Sequence, residues 1–243
     1  MAGDDRRVLG SNLKMANDRA ATMALMDAAA VMSAGDPRQF FFFPSMVFVA
    51  EAVERVAGSD VIIGGQMCSS HVSGAYTGEV SARMLVEVGA QAVMVGHYER
   101  VLAGETLADF IQQATRAQEV ALRVLFCLGE REQADDAHDA SDLLADVDAM
   151  LATLPQKPWI VAYEPHWAIG EHGRRPALDY VAARLAALRA GLDERDWRGV
   201  RLVYGGSVDP QNAPHIDPMA DGLFVGRSAW TPEGLRTICQ VTR

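Results

Sequence analysis

One glutamate, Glu164, closes a short apolar run and is followed at once by a loop that begins with Pro165. The run Trp159–Tyr163 is short and rich in β-branched and aromatic residues, which is typical of a parallel strand buried on both faces. A carboxylate at the end of such a strand, shielded by a closing loop, can remove a proton from carbon. The sequence therefore predicts Glu164 as a general base beneath a lid that spans Pro165–Gly173.

Polar residues and glycines follow four other apolar runs. Asn12 and Lys14 stand two residues apart after the first run, so a strand would point both side chains the same way, where they could hold a polarised oxygen or a phosphate. His97 follows the fourth run beside a possible helix start. The positive end of a helix dipole disfavours a charged imidazolium, so we expect His97 to be a neutral hydrogen-bond donor. The segments 205–207 and 226–228 carry glycines that would let backbone N–H groups approach a phosphate.

Eight strand–helix pairs would position these residues, at the spacing of roughly thirty residues that an eightfold barrel requires. The predicted strands are Val8–Leu13, Phe40–Phe43, Val61–Gly64, Ala92–Gly96, Val124–Leu128, Trp159–Tyr163, Arg201–Tyr204 and Gly222–Val225. The predicted helices are Asp18–Ser33, Val47–Val56, Ser81–Val88, Leu107–Glu119, Asp139–Leu154 and Asp179–Leu192, with shorter ones after Pro210 and after Pro232. A proline fits the first turn of each of these two short helices. This repetition favours a closed (β/α)8 barrel, a TIM barrel of the α/β class, over an open doubly wound sheet, although periodicity alone does not separate the two.

Composition restricts the class of protein. The chain has 243 residues, of which 49% are hydrophobic, and this is enough apolar material to bury a large core in one domain over residues 1–243. Its net charge is −10. The acidic balance argues against a nucleic-acid partner, and no run reaches the roughly 18 apolar residues of a membrane helix. The three cysteines lack metal-ligand or disulfide spacing, and the N-terminus lacks a signal-peptide core, so we expect a cytoplasmic protein without a metal site.

Six motifs, in order along the whole chain, resemble those of the triose-phosphate isomerase family. They are Asn-x-Lys-Met from residue 12, the segment Gly74–Glu79, Gly-His-x-Glu-Arg from residue 96, Cys-x-Gly-Glu from residue 127, Tyr-Glu-Pro-x-Trp-Ala-Ile-Gly from residue 163 and Tyr-Gly-Gly-Ser-Val from residue 204. One such motif is weak, whereas six in sequence are highly specific. The resemblance implies an isomerase of glycolysis and gluconeogenesis that interconverts dihydroxyacetone phosphate and glyceraldehyde 3-phosphate through an enediolate, without a cofactor.

The resemblance also implies a role for each candidate residue. Glu164 would be the base and His97 the electrophile, while Lys14 and Asn12 would favour the developing enediolate. Three residues would donate backbone N–H groups to the substrate phosphate: Gly170, Ser207 and Gly226.

The third loop predicts a partner subunit. Gly74–Glu79 resembles the segment that members of the family insert into a neighbouring subunit, so Thr77 would reach the region of Asn12 and Lys14 in the second copy. The resemblance therefore implies a homodimer with a large apolar interface.

The chain departs from the family around the predicted pocket. Four departures are Leu13 for the usual Trp, Tyr98 for Ser, His166 for Val, and Glu-His-Gly at 171–173 for Thr-Gly-Lys. The fifth is Arg227, a substrate-binding candidate, which replaces the second glycine of the eighth loop. Arg227 keeps a backbone N–H group but brings a large cationic side chain to the point where backbone and phosphate would meet.

These departures leave alternatives open. The protein could be a paralogue that isomerises a four-carbon ketose phosphate such as an erythrulose phosphate, or a barrel that binds a sugar phosphate without turning it over. Another barrel enzyme, an epimerase or an aldolase, could use the same phosphate site. A Schiff-base aldolase needs a lysine in a strand, and Lys14 and Lys157 are the lysines of the chain, so that alternative is disfavoured.

Overall fold

Eight parallel strands close into a barrel in chain order, with β1 paired to both β2 and β8. The computed structural model describes residues 6–152, 159–169, 173–197 and 199–242. The strands are β1 (Val8–Asn12), β2 (Gln39–Phe43), β3 (Ile62–Gly65), β4 (Ala92–Val95), β5 (Arg123–Leu128), β6 (Trp159–Tyr163), β7 (Arg201–Tyr204) and β8 (Gly222–Phe224). The predicted (β/α)8 barrel is confirmed, and the open sheet is excluded.

Helical structure follows the strands. The α-helices of the described residues are α1 (Arg19–Ser33), α2 (Val49–Arg55), α3 (Ala82–Glu87), α4 (Tyr98–Leu102), α5 (Leu107–Glu119), α6 (Ser141–Ala152), α7 (Leu178–Glu194), α8 (Ala213–Ile216) and α9 (Pro232–Val241). The short helix predicted after Pro210 is present as α8, but the expectation that Pro210 lies in its first turn is wrong, because α8 begins at Ala213 and Pro214 occupies that turn. Pro232 does begin α9, where its missing N–H group costs no hydrogen bond.

The core has two layers, which explains why the strands read as continuous apolar runs. In β2, Phe41 and Phe43 belong to the cluster inside the barrel, whereas Phe40 and Phe42 belong to the larger cluster that includes helix residues. All four side chains are buried. A strand that is covered on both faces therefore lacks the alternation of polar and apolar residues that a half-exposed strand has.

The same alternation decides which residues face the mouth of the barrel. In β6, Ile160 and Ala162 point inward and Val161 and Tyr163 point outward, so the next residue, Glu164, points inward. The ladder extends to this residue, because the N–H group of Glu164 donates to the carbonyl of Leu128 at 2.8 Å.

No helix among the described residues is long and apolar enough to cross a membrane.

Candidate active site

A cavity of about 530 Å³ opens at the carboxyl ends of the strands. Its walls come from the segments that follow β1, β4, β6, β7 and β8. It contains every candidate residue that the structure describes: Asn12, Lys14, His97, Glu164, Ser207, Gly226 and Arg227. Gly170 lies outside the described residues. Sequence positions far apart in the chain therefore meet at one mouth, while the chemical role of each stays a prediction.

Glu164 is the most deeply buried charged group of the cavity, with 2% of its surface exposed. Burial raises the pKa of its carboxyl to about 8, against the opposing effects of the Lys14 ammonium and of a hydrogen bond from the Cys127 thiol. Its Oε2 atom has no hydrogen-bond partner among the described residues. A carboxylate that is poorly solvated and has a free oxygen is a stronger base than one in water.

Two glycines make room for Glu164. A Cβ atom on Gly205 would lie 2.7 Å from the Cγ atom of Glu164 and 2.8 Å from its Oε1 atom. A Cβ atom on Gly129 would lie 1.9 Å from the carbonyl oxygen of Glu164. All three distances are shorter than a van der Waals contact, so a side chain at Gly205 would displace the carboxylate and one at Gly129 would displace the backbone of Glu164. The sequence indicated Gly205 only as part of a phosphate loop, and this second reason for a glycine there was missed.

His97 points its imidazole at Glu164. It is the N-cap of α4, and its Nδ1 atom accepts a hydrogen bond from the N–H group of Glu99 at 3.2 Å. Nδ1 therefore carries no proton, and the N–H of a neutral ring is at Nε2, which lies 3.8 Å from Oε2 of Glu164. Burial first, and then the charge of Lys14, lower the pKa of His97 to about 4. The imidazole is neutral, as the predicted role requires, and burial is the main cause.

Lys14 lies in the cavity wall with a left-handed backbone, at a φ of 52°. Asn12 holds this conformation, because its Oδ1 atom accepts a hydrogen bond from the Lys14 N–H group at 2.8 Å. The Lys14 ammonium pairs with Glu99 at 2.7 Å. The side-chain amide of Asn12 contacts the sulfur of Met94 at 3.6 Å. Asn12 thus positions Lys14 in addition to lining the cavity.

Glu130 anchors the first residues of the predicted lid. Its Oε1 atom accepts hydrogen bonds from three side chains: Tyr163 at 2.9 Å, Tyr180 at 2.7 Å and Trp167 at 3.1 Å. The buried guanidinium of Arg184 lies 3.5 Å from Oε2 of Glu130 and balances its charge. The sequence predicted no role for Glu130, since its partners come from β6, α7 and the turn after Pro165 and are not visible in local spacing.

The opposite wall of the cavity is formed by the loops after β7 and β8. The N–H groups of Ser207 and Gly226 make no hydrogen bond to the described residues, so they are free to meet an anion. The Arg227 side chain is exposed, and no hydrogen bond or ion pair joins it to the described part of the chain. Trp230 completes the wall and donates its indole N–H to the carbonyl of Asn12 at 2.8 Å. Sequence reasoning missed Trp230.

The arrangement combines a dry carboxylate, a neutral imidazole N–H group and an ammonium around one space, with free backbone donors at one side. A carboxylate can take a proton from a carbon beside a carbonyl group, and the imidazole and ammonium can stabilise the oxyanion that forms. Among the described residues, no group of three or more His, Cys, Asp or Glu side chains could hold a metal ion.

Comparison with known proteins identifies relatives along the whole chain. The family model described as triosephosphate isomerase matches residues 7–242. A protein named triosephosphate isomerase from Dinoroseobacter shibae is 38% identical over 233 residues, which cover 91% of this chain and 92% of the relative. A protein named L-erythrulose-1-phosphate isomerase from Brucella suis is 35% identical over 236 residues, or 93% of this chain and 92% of the relative. The crystal structure of triosephosphate isomerase from Bartonella henselae superposes with a TM-score of 0.80 at 27% identity, over 97% of this chain and 98% of that one.

Proposed function

The chain belongs to the triosephosphate isomerase family, and from this premise we propose that it isomerises dihydroxyacetone phosphate and glyceraldehyde 3-phosphate through an enediolate. The observation that carries the proposal is the approach of His97 Nε2 to Glu164 Oε2, at 3.8 Å, inside a cavity that Lys14 also lines. The pairing of a glutamate base with a neutral histidine is the known arrangement of this family and is carried over here by resemblance.

In the proposed reaction, the Glu164 carboxylate removes a proton from the hydroxymethyl carbon beside the carbonyl group of dihydroxyacetone phosphate. The carbonyl oxygen gains negative charge, which the His97 N–H group and the Lys14 ammonium stabilise because they are already aimed at the cavity. Protonated Glu164 then returns the proton to the neighbouring carbon, and the hydroxyl proton moves between the two oxygens. Carbon-bound hydrogen is thus moved by one carbon, with no net oxidation of the molecule.

We also propose that the segment from Pro165 to Gly173 closes over the intermediate, of which the structure describes residues 165–169 and 173. An enediolate phosphate in contact with water would lose its phosphate by elimination, so excluding water protects the intermediate. The hydrogen bond from Trp167 to Glu130 supports a fixed base for this segment.

The experiment that tests the proposal is an assay of the purified protein against three-carbon and four-carbon sugar phosphates. Rapid turnover of dihydroxyacetone phosphate alone supports the triose isomerase and contradicts the four-carbon paralogue. The relative named L-erythrulose-1-phosphate isomerase is the observation that favours the paralogue as a second candidate. Binding of these phosphates without turnover would overturn both and leave a sugar-phosphate-binding barrel.

Arg227 is proposed to bind the substrate phosphate through its exposed guanidinium. We expect Arg227→Ala to raise KM by roughly 3-fold to 10-fold and to change kcat by less than about 2-fold, because an exposed charge contributes on the order of 1 kcal/mol to binding. Arg236→Ala is the matched control, since it removes an exposed arginine that is not part of the cavity wall. An equal KM in the two variants would refute the contact.

We propose a homodimer that uses the loop Gly74–Glu79. Large apolar side chains are exposed in the segments after β1 and β2, in this loop and on α3: Met15 at 96%, Val47 at 82%, Tyr76 at 44% and Met84 at 52%. Such a set is unfavourable in water and is typical of an interface. Sedimentation equilibrium is expected to give twice the chain mass of 26.3 kDa, and monomers with full turnover would contradict the proposal.

A cytoplasmic location in glycolysis and gluconeogenesis is part of the same proposal. Its support is the family and the three cysteines, Cys68, Cys127 and Cys239, which are free thiols.

A further inference from the structure

Two of the departures from the family motifs are in contact with each other. Tyr98 stands where the family has Ser, and His166 stands where it has Val. Their rings stack with centroids 4.6 Å apart and an angle of 29° between the planes. Tyr98 directly follows His97, and His166 comes two residues after Glu164. The two enlarged side chains therefore meet beside the two groups that the proposed reaction brings together.

The stack joins strand ends that the barrel does not join directly. His97 follows β4 and Glu164 follows β6, and β5 lies between these strands. The sheet therefore sets the separation of His97 and Glu164 through two strand pairings, β4 with β5 and β5 with β6. The Tyr98–His166 stack adds a contact that spans the end of β5.

His166 is buried, and its backbone is hydrogen-bonded to the segment that follows β5. Its side chain is 7% exposed, and its N–H group donates to the carbonyl of Glu130 at 2.9 Å. Neither ring nitrogen has a hydrogen-bond partner among the described residues, so the ring is positioned by packing, which includes its stack on Tyr98. Burial lowers the pKa of His166 to about 4, so the ring is neutral at neutral pH and stacks without a charge.

We propose that Tyr98 and His166 form a positioning pair that fixes His97 and Glu164 at the separation needed for proton transfer, an inference that rests on the proposed isomerase function. Neither residue lines the substrate cavity, so each acts through its neighbour in the chain. A shift of about 1 Å in a reacting group can cost roughly 100-fold in rate. The pair therefore affects kcat and leaves substrate binding nearly unchanged.

The test is a double-mutant cycle with Tyr98→Leu, His166→Val and the double variant. For each protein, kcat, KM and the inhibition constant of inorganic phosphate are measured. We expect each single substitution to lower kcat by roughly 10-fold or more, with KM and phosphate inhibition changed by less than about 3-fold. The double variant is expected to be no slower than the slower single variant, because the second substitution removes a stack that is already broken. Tyr98→Phe keeps the ring and removes only the hydroxyl group, so it should retain at least about half of kcat.

Unchanged kcat in both single variants, or single effects that multiply in the double variant, would overturn the pair. A wild-type protein that fails to isomerise any sugar phosphate would instead overturn the proposed function, so the two failures are distinct. If one of the two single variants does not fold, the remaining one is compared with Tyr98→Phe. The proposal then requires kcat to fall in the variant that loses the stack and to be retained in Tyr98→Phe, which loses only the hydroxyl group.

Discussion

Replacement of Glu164 with Gln is expected to lower kcat for isomerisation by roughly 10²-fold to 10⁴-fold, the range that a positioned general base contributes. Gln has nearly the same shape, but its amide cannot accept a proton from carbon. The buried site favours this role, because the carboxyl is almost unsolvated and its Oε2 atom has no partner among the described residues. KM should change by less than about 3-fold, since the change removes a group that acts in the transition state.

The pH dependence of stability is the control that shows Glu164→Gln to be folded and the carboxylate to be buried. Burial raises the pKa of Glu164 in the folded state from 4.5 to about 8. A raised pKa gives stability that is complete below pH 4.5 and is lost as the pH rises through about 8. The wild type should therefore lose stability relative to Glu164→Gln between pH 5 and pH 8, measured by urea unfolding. Equal pH profiles would show that the carboxylate is solvated.

The second large effect is expected for His97→Asn, which should lower kcat by roughly 100-fold to 1,000-fold, as the loss of one oxyanion donor does in other enzymes. The shorter asparagine can still cap α4 but does not reach the position of Nε2, which lies 3.8 Å from Oε2 of Glu164. KM should change little, because the oxyanion exists only during the reaction.

His215→Asn provides the matched control for this variant, since His215 is exposed on α8 and does not line the cavity. It should retain full activity. A loss of less than about 10-fold in His97→Asn would mean that another donor, such as the ammonium of Lys14, stabilises the oxyanion alone.

The sequence predicted the barrel well because its signal is local. Each strand is buried on both faces, so it appears as an apolar run, and β6 and β7 have the predicted bounds. The inward position of Glu164 also follows from simple alternation along β6. In both cases the neighbours along the chain carry the information.

The orientation of His97 could not be read from the same rule. In β4, Ala92 and Met94 point into the barrel, so alternation continued beyond Gly96 would turn His97 outward. Gly96 has a φ of 79°, a left-handed conformation that breaks the alternation and turns His97 into the cavity.

Other parts of the site were missed because they depend on contacts between distant segments. Glu130 accepts from Tyr180, fifty residues further along the chain, and Trp230 donates to Asn12 across 218 residues. The Tyr98–His166 stack is a further example, since each residue alone was only a departure from a motif. Composition and spacing carry no information on such pairs, which become visible only when the barrel closes.

The central claim is that Glu164 removes a carbon-bound proton. Its most direct test is to measure deuterium incorporation into dihydroxyacetone phosphate in D₂O by ¹H NMR. Wild-type protein is predicted to introduce one deuterium at the hydroxymethyl carbon, and Glu164→Gln is predicted to introduce none above the uncatalysed background. Incorporation at the wild-type rate in Glu164→Gln would contradict the account.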